Sequence, residues 1–405
     1  MSPFRTNENP DIVIIFIAKI INSMRSFSVI ITCICLLFFN VLFSPMVALG
    51  QIPGMIDTNT IKKKELQNHC EFCCSAELSV CSEHFAVESE VIIVDIGVAE
   101  TQETSEGESE DSSIFVPLSH FTYAGDQRVT IDGSMPRNTT RIRPLPLIGL
   151  ASIYLGITTA LHIYQVNTFW DSTTTFRFIE DGDYALYADK FGHAWGTYIN
   201  AYLASEALMG SGLSWDAATL GGAGIALAYQ TYVEVMDGYG KTWGFSWSDM
   251  YANFAGAAWF LGQHYVPFLQ NFTYKSNFFP PPWFGRLTRE SAETFLDDYS
   301  GWTFTLAIDV HNLLPRDAKK YWPKWLNIDV GHAVRDLRFR EGESVYTIGF
   351  DINPVRLLPD GPNLWKWFRQ GFNYVKIPAP AIEFGTVTRF RLLYPFQLQI
   401  GPIHF

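Results

Sequence analysis

Four long apolar blocks follow one another through the middle of the chain, at residues 147–166, 190–209, 216–236 and 247–266, and beyond them apolar residues recur at every second position. The first block, opening Leu147-Ile-Gly-Leu, is nearly free of charge and matches the roughly 20 residues that cross a hydrocarbon core as a helix. The others interleave small residues (Gly221, Gly222, Gly224, Ala226, Ala228; Ala255 to Ala258) that let helix backbones approach closely in a lipid-like setting. The pattern predicts a bundle of about four apolar, membrane-associated helices over 144–270. Charged residues inside two blocks keep an ordinary buried bundle as the competing reading.

After Phe279-Pro-Pro-Pro-Trp283 the period changes to two. Trp302, Phe304, Leu306 and Ile308 alternate with Thr303, Thr305 and Ala307. Leu326, Ile328 and Val330 flank Asn327 and Asp329, and Tyr346, Ile348, Phe350 and Ile352 flank Thr347, Gly349 and Asp351. Such alternation marks half-buried strands. The tail Ile382–Phe405 adds two apolar stretches and ends on an aromatic residue, as outer-membrane strands do, yet about five strands fall short of the roughly eight that close a barrel. The expected fold class is α+β, with a small antiparallel β-rich part over 271–405 packed on the helices.

Met24-Arg25, the apolar run Phe27–Phe43 and the small residues Ala48 and Gly50 read as a signal peptide, or, with the apolar stretch 11–21, as an uncleaved anchor over 1–50. Export follows from either. Residues 51–143 read as an acidic, mostly disordered linker, because no Lys or Arg occurs from Glu65 to Gln127 while Glu and Asp accumulate among Ser and Thr. Within it Cys70, Cys73, Cys74 and Cys81, with His69 and His84, could bind zinc or pair as disulfides; an exported location favours disulfides, in a pairing left open.

The aromatic share of 15% and charged share of 17% lie above and below ordinary soluble values, which strengthens the membrane reading. A net charge of -12 argues against nucleic acid, whose binding needs Lys and Arg to neutralise phosphates. The candidate chemistry lies at helix ends. Asp189, Lys190 and His193 open the second block, with Asn200 further along the same face. Gln230, Glu234 and Asp237 share a face of the third, and Ser246, Ser248, Asp249, Asn253 and Gln263 mark the fourth, where Ser246 or Ser248 suits an N-cap. Charges inside an apolar bundle face its interior or a wet cavity, so the stripes should converge. The resulting set could bind a ligand or a divalent cation, act as general acid and base, or only lock helix register. Gly-x-Ser-x-Gly, His-Glu-x-x-His, a Gly-rich phosphate loop and the paired motifs of lipid phosphatases do not occur.

Asp189-Lys-Phe-Gly-His193, Tyr229-Gln-Thr-Tyr-Val-Glu234, Asp237-Gly238 and Trp243-Gly-Phe-Ser-Trp-Ser-Asp249 through Asn253 to Gly256 resemble the YfiM-type family of predicted periplasmic lipoproteins, a family of unknown function. Asp297-Asp-Tyr299, Pro323-Lys-Trp325, Gly331 and Lys376-Ile-Pro-Ala-Pro380 resemble its longer members. The same order of residues is similar, more weakly, to VanZ-like membrane proteins, with Lys241 and Trp243-Gly-Phe245 in place of the usual Gly-Arg. The resemblance implies a bacterial envelope location and a shared site of Asp189, Lys190, His193, Glu234, Asp237, Asp249 and Asn253, with no reaction attached. A lipidation Cys of the family's kind is missing. The expected function is a non-enzymatic envelope protein that binds a lipid or cell-wall precursor headgroup. A membrane-embedded hydrolase using His193 with Glu234 or Asp249, or a structural scaffold, is the alternative. No cofactor beyond a divalent metal is in view, and the number of copies is not legible.

Overall fold

The computed structural model describes residues 114–121, 128–286, 294–338, 341–397, 399–400 and 403–404. The expected signal or anchor segment and the cysteine cluster lie outside the described residues. Chain N-terminal to Pro144 takes part in the packing: Val116, Phe121, Val129 and Thr130 are buried, Arg128 pairs with Glu206, and the Arg141 and Arg143 backbone amides donate to Gly212 and Ser211.

Eight α-helices occur among the described residues, four of them in the expected blocks: α1 (Pro144–Val166), α2 (Ala188–Gly210), α3 (Trp215–Tyr239) and α4 (Trp247–Tyr265). Ser214 caps α3 by accepting from the Ala217 amide, and Ser246 caps α4 by accepting from Asp249. A short parallel pair, β1 (Phe178–Ile179) with β2 (Phe245–Ser246), ties the segment before α2 to the start of α4. Helices α2, α3 and α4 enclose Tyr198, Ala201, Tyr202, Ala223, Ala226 and Phe260.

Only α1 among the described residues is long and apolar enough to cross a membrane, which corrects the expectation of about four such helices. The physical reason lies in what the others bury. Asp189, Thr197, Ser205 and Glu206 of α2, Glu234 of α3 and Asp249 and Asn253 of α4 are all covered, so these helices are held by polar contacts and small-residue packing as well as by apolar contact.

The small residues mark close approach. A Cβ on Gly256 would overlap the Ala194 carbonyl of α2, and one on Gly222 would overlap the Ala201 carbonyl and Ser205, whereas Gly224 faces open space. Gly256→Leu is therefore expected to cost about 1–3 kcal/mol or more by forcing α2 and α4 apart, while Gly224→Ala should stabilise by about 0.5–1 kcal/mol through helix propensity. Urea denaturation of the two variants checks the pair, and equal midpoints would show that the glycines do not set the helix spacing.

The C-terminal part is a six-stranded antiparallel meander: β3 (Phe272–Phe278), β4 (Trp302–Ile308), β5 (Leu326–Arg338), β6 (Glu341–Ile352), β7 (Ala381–Phe384) and β8 (Arg389–Arg391). Two single-turn helices, α5 (Val310–Leu313) and α6 (Arg316–Lys319), join β4 to β5; α7 (Pro354–Leu357) and α8 (Asn363–Phe372) lie between β6 and β7. A small pair, β9 (Gln399–Ile400) with β10 (Ile403–His404), follows β8. The period-two reading located β4 to β6, but the covered face is the polar one. Lys275 Nζ lies 2.7 Å from Asp351 Oδ2 and 2.9 Å from Asn373 Oδ1, and Lys376 Nζ 2.9 Å from Asp329 Oδ2. Segment 373–380 covers this face, its Tyr374 and Lys376 backbone bonding to Ser276 of β3. Of the apolar face, the part carrying Tyr274, Trp302 and Phe304 packs with Trp195 of α2.

Candidate functional site

The segment leading into α2 is strained. Ala185, Leu186 and Tyr187 have φ of 49°, 52° and 69°, left-handed values that non-glycine residues rarely adopt in succession. Packing of Ala185 and Leu186 with Ala188, Phe304, Val334 and Leu337 holds the turn. Its effect is to deliver Asp189 and Lys190 at the first turn of α2, facing the start of α4, while the β1–β2 pairing sets Asp181 beside Ser246.

The predicted stripes converge. Lys190 Nζ lies 2.7 Å from Asp189 Oδ2, 2.9 Å from Asp181 Oδ1 and 2.5 Å from Asp249 Oδ1, so one ammonium joins three carboxylates. His193 sits one turn further in. Its Nε2 is 3.6 Å from Asp189 and 3.9 Å from Asp249, and its Nδ1 is 3.5 Å from Glu234 Oε1 and 3.3 Å from Asn253 Oδ1. Asn253 Oδ1 also accepts from Thr197 Oγ1 at 2.9 Å, and the Ser246 amide donates to Glu234 Oε2 at 3.3 Å. Asp237 accepts from the Trp170 indole at 2.6 Å. Gln230 lines the adjoining cavity.

Four participants escaped the sequence reading or entered it in another role. Asp181 accepts from Ser246 Oγ at 2.5 Å and from Ser248 Oγ at 2.9 Å. The Tyr299 hydroxyl donates to Asp189, and Trp170 and Thr197 hold Asp237 and Asn253. Only the Glu180-Asp-Gly-Asp183 turn hinted at Asp181, because its distance in sequence from Ser246 hides a contact made through strand pairing. Conversely Asn200 and Gln263, read on the same stripes, serve elsewhere: Asn200 accepts from Tyr154 of α1, and Gln263 joins Tyr198 to the Phe272 carbonyl.

The electrostatics are unbalanced: among the described residues, Asp181, Asp189, Glu234, Asp237 and Asp249 face only Lys190 and His193. Burial opposes charge on His193, but Asp189, Asp249 and Glu234 outweigh it and raise the imidazole to about 9. Burial likewise opposes the Asp189 carboxylate; His193 and Lys190, with hydrogen bonds from Lys190 and Tyr299, reverse that and draw it to about 2. Burial pushes Glu234 up to about 8, with Asp249 and Asp237 adding to it, and raises Asp237 to about 7. For Asp249 burial and the neighbouring Asp189 carboxylate act in the same upward direction. At neutral pH the site is thus an imidazolium and an ammonium among carboxyls that share protons.

Beside these groups opens a cavity of about 250 Å³ whose walls are Phe169, Trp170, Tyr184, Trp195, Trp243, Tyr299, Trp302 and Phe304 and whose polar side is Asp181, Asp189, His193, Gln230, Asp237 and Asp249. The indole N–H groups of Trp195 and Trp243 and the Asn253 Nδ2 amide are buried without an acceptor. Orphaned buried polar atoms of this kind are costly and call for a partner. Asp189, His193 and Asp249 also bring one ligand atom each within 4.8 Å of one another, enough for a divalent cation. Lys190 Nζ already stands 2.5 Å from Asp249 Oδ1, so a metal would have to displace it.

Residues 177–261 match the model of a family described as predicted periplasmic lipoproteins (DUF2279). The match takes in β1 through nearly all of α4, and with it every site residue from Asp181 to Asn253. It agrees with the YfiM-type resemblance, and the likeness to VanZ-like membrane proteins finds no support beside it. No curated protein and no solved structure matches the chain.

Proposed function

We propose that this chain is a periplasm-facing envelope protein that binds the amine-bearing headgroup of a lipid or lipid-linked cell-wall precursor in the cavity beside His193. The observation that carries the reading is the pairing of an aromatic wall with a carboxylate excess: five carboxyls face two cations next to a ring of indoles and phenols. A cationic amine gains from ring faces and from carboxylates at once. The volume of about 250 Å³ falls just under the roughly 300–1,000 Å³ of sites for whole drug-sized ligands, which fits a headgroup rather than an entire lipid. The matched family's description as periplasmic lipoproteins supports the location.

The hydrolase alternative draws less from this geometry. A general base must be unprotonated at working pH, and the neighbouring Asp189, Asp249 and Glu234 favour the charged form of His193, so a hydrolase would need Glu234 or Asp249 as its base and His193 as an electrostatic partner.

Full-length protein in detergent, titrated with short-chain phosphatidylethanolamine and phosphatidylglycerol, tests the proposal. The amine headgroup should bind at least tenfold tighter, more tightly at pH 8 than at pH 6 as Glu234, Asp237 and Asp249 release their protons, and Glu234→Gln with Asp249→Asn should abolish the preference while the protein stays folded. Equal binding of both lipids, or saturable binding of a divalent metal alone, would overturn it.

A further inference from the structure

The sheet is inverted relative to one that meets water. Lys275, Asp329, Arg335, Asp351, Glu383 and Arg391 are buried on its covered face, whereas the opposite face of β5 to β8 leaves Val330, Tyr346, Ile348, Phe350, Ile382 and Phe390 between 39% and 58% exposed. The register makes this face continuous: Val330 lies opposite Ile348, Ile348 opposite Ile382 and Ile382 opposite Phe390, while Tyr346 lies opposite Phe384 and Phe350 opposite Ile328. No Asp, Glu, Lys or Arg occupies that face between Leu326 and Val334 or between Ser344 and Ile352. An antiparallel sheet with one solvated face puts its polar residues outward. Here they point inward.

We infer that this open face is a lipid-contacting surface, seated on the acyl chains of a bilayer. The exposed side chains, with Phe384 and Val387, present on the order of 600 Å² of apolar surface, at the upper end for a soluble monomer's largest patch and enough for a bilayer or a second copy; two further observations select lipid. With no charged side chain on the face of β5 or β6 over those spans, it offers no ion pairs to fix the register of a protein partner. The same chain carries in α1 a second exposed apolar surface, 23 residues without Asp, Glu, Lys or Arg, about 34 Å long and so of hydrocarbon dimensions. At the sheet's edge Arg389 and Arg391 both lie near Glu383, 3.6 and 3.9 Å away, so the edge strand's cations turn toward the covered face, away from the apolar ladder. The inference does not depend on what occupies the cavity beside His193.

The test uses the full chain with vesicles of phosphatidylethanolamine and phosphatidylglycerol containing a phospholipid with a photoactivatable acyl chain. Because the N-terminal apolar runs and α1 could bring the chain to a vesicle alone, the readout is the residue map of adducts, not flotation. Adducts are expected on Tyr346, Ile348, Ile382 and Phe390 and not on Arg316–Lys319, with a drop of about tenfold on the sheet alone in Ile348→Lys with Ile382→Lys, adducts on α1 unchanged. Circular dichroism of the variant reports that it is folded. Labelling of α1 with none on the sheet, or a dimer in sedimentation that the double variant splits into monomers, would overturn the inference; the second result would make another copy the occupant.

Discussion

Lys190→Met is expected to destabilise the protein by about 3–5 kcal/mol, the loss seen when one member of a buried ion network is removed and the rest stay charged. The Lys190 side chain is 13% exposed, those of Asp189, Asp249 and Asp181 are 6%, 7% and 17% exposed, and all three carboxylates lie within 2.9 Å of the ammonium, so solvent cannot take its place cheaply. At roughly 2–4 °C per kcal/mol for a unit of this size, thermal denaturation should show a fall of about 10 °C. The deficit has an internal remedy, since an isolated Asp249 can accept a proton. The loss should therefore shrink at pH 5, and Asp249→Asn placed on Lys190→Met should recover part of it. A loss under about 1 kcal/mol, within the range of solvated surface pairs, would show that Lys190 is free to leave its partners.

Stability should decline on the alkaline side and turn over only at low pH. His193 is raised from 6.5 to about 9, so its contribution is full below the unfolded value and disappears as pH rises through 9. Glu234 and Asp237, raised to about 8 and about 7, behave in the same direction: the folded form retains their protons where the unfolded chain has lost them, so stability falls between about pH 4 and pH 8. Asp189, drawn down to about 2, contributes above the usual carboxylate range and loses its contribution only as pH falls toward 2. The sum places the maximum near pH 4–5 and predicts a loss on the order of 3 kcal/mol by pH 9, discounting heavily for coupling among the groups. Chemical denaturation from pH 4 to pH 9 measures it. Glu234→Gln should flatten the slope between pH 4 and pH 8, and a profile that it leaves unaltered would mean that Glu234 does not hold the proton.

Much of the site was legible because its residues lie on helices. Asp189 and His193, or Glu234 and Asp237, are spaced by whole turns, so membership of one face follows from sequence spacing alone. That the three faces meet followed from the cost of burying charge in apolar helices. Asp181 and Tyr299 were invisible on both counts, since each arrives from a separate segment, one through the β1–β2 pairing and the other from the turn before β4. Asn200 and Gln263 show the opposite error: they share the spacing but lie too far along their helices to reach His193, and bond near α1 and β3 instead.

By itself, then, the sequence determined the periodic elements and the polar helix faces, because side-chain period and helix geometry are local properties. It overcounted membrane helices because apolar composition does not say whether a helix buries its small residues and polar stripe against protein or lipid; the contacts of Gly222 and Gly256 and the ion network around Lys190 decided that for α2, α3 and α4. It located β4 to β6 but not their orientation, since alternation is symmetric between the two faces of a sheet. Only the tertiary structure, by laying segment 373–380 over Lys275, Asp329 and Asp351, made the polar face the inside.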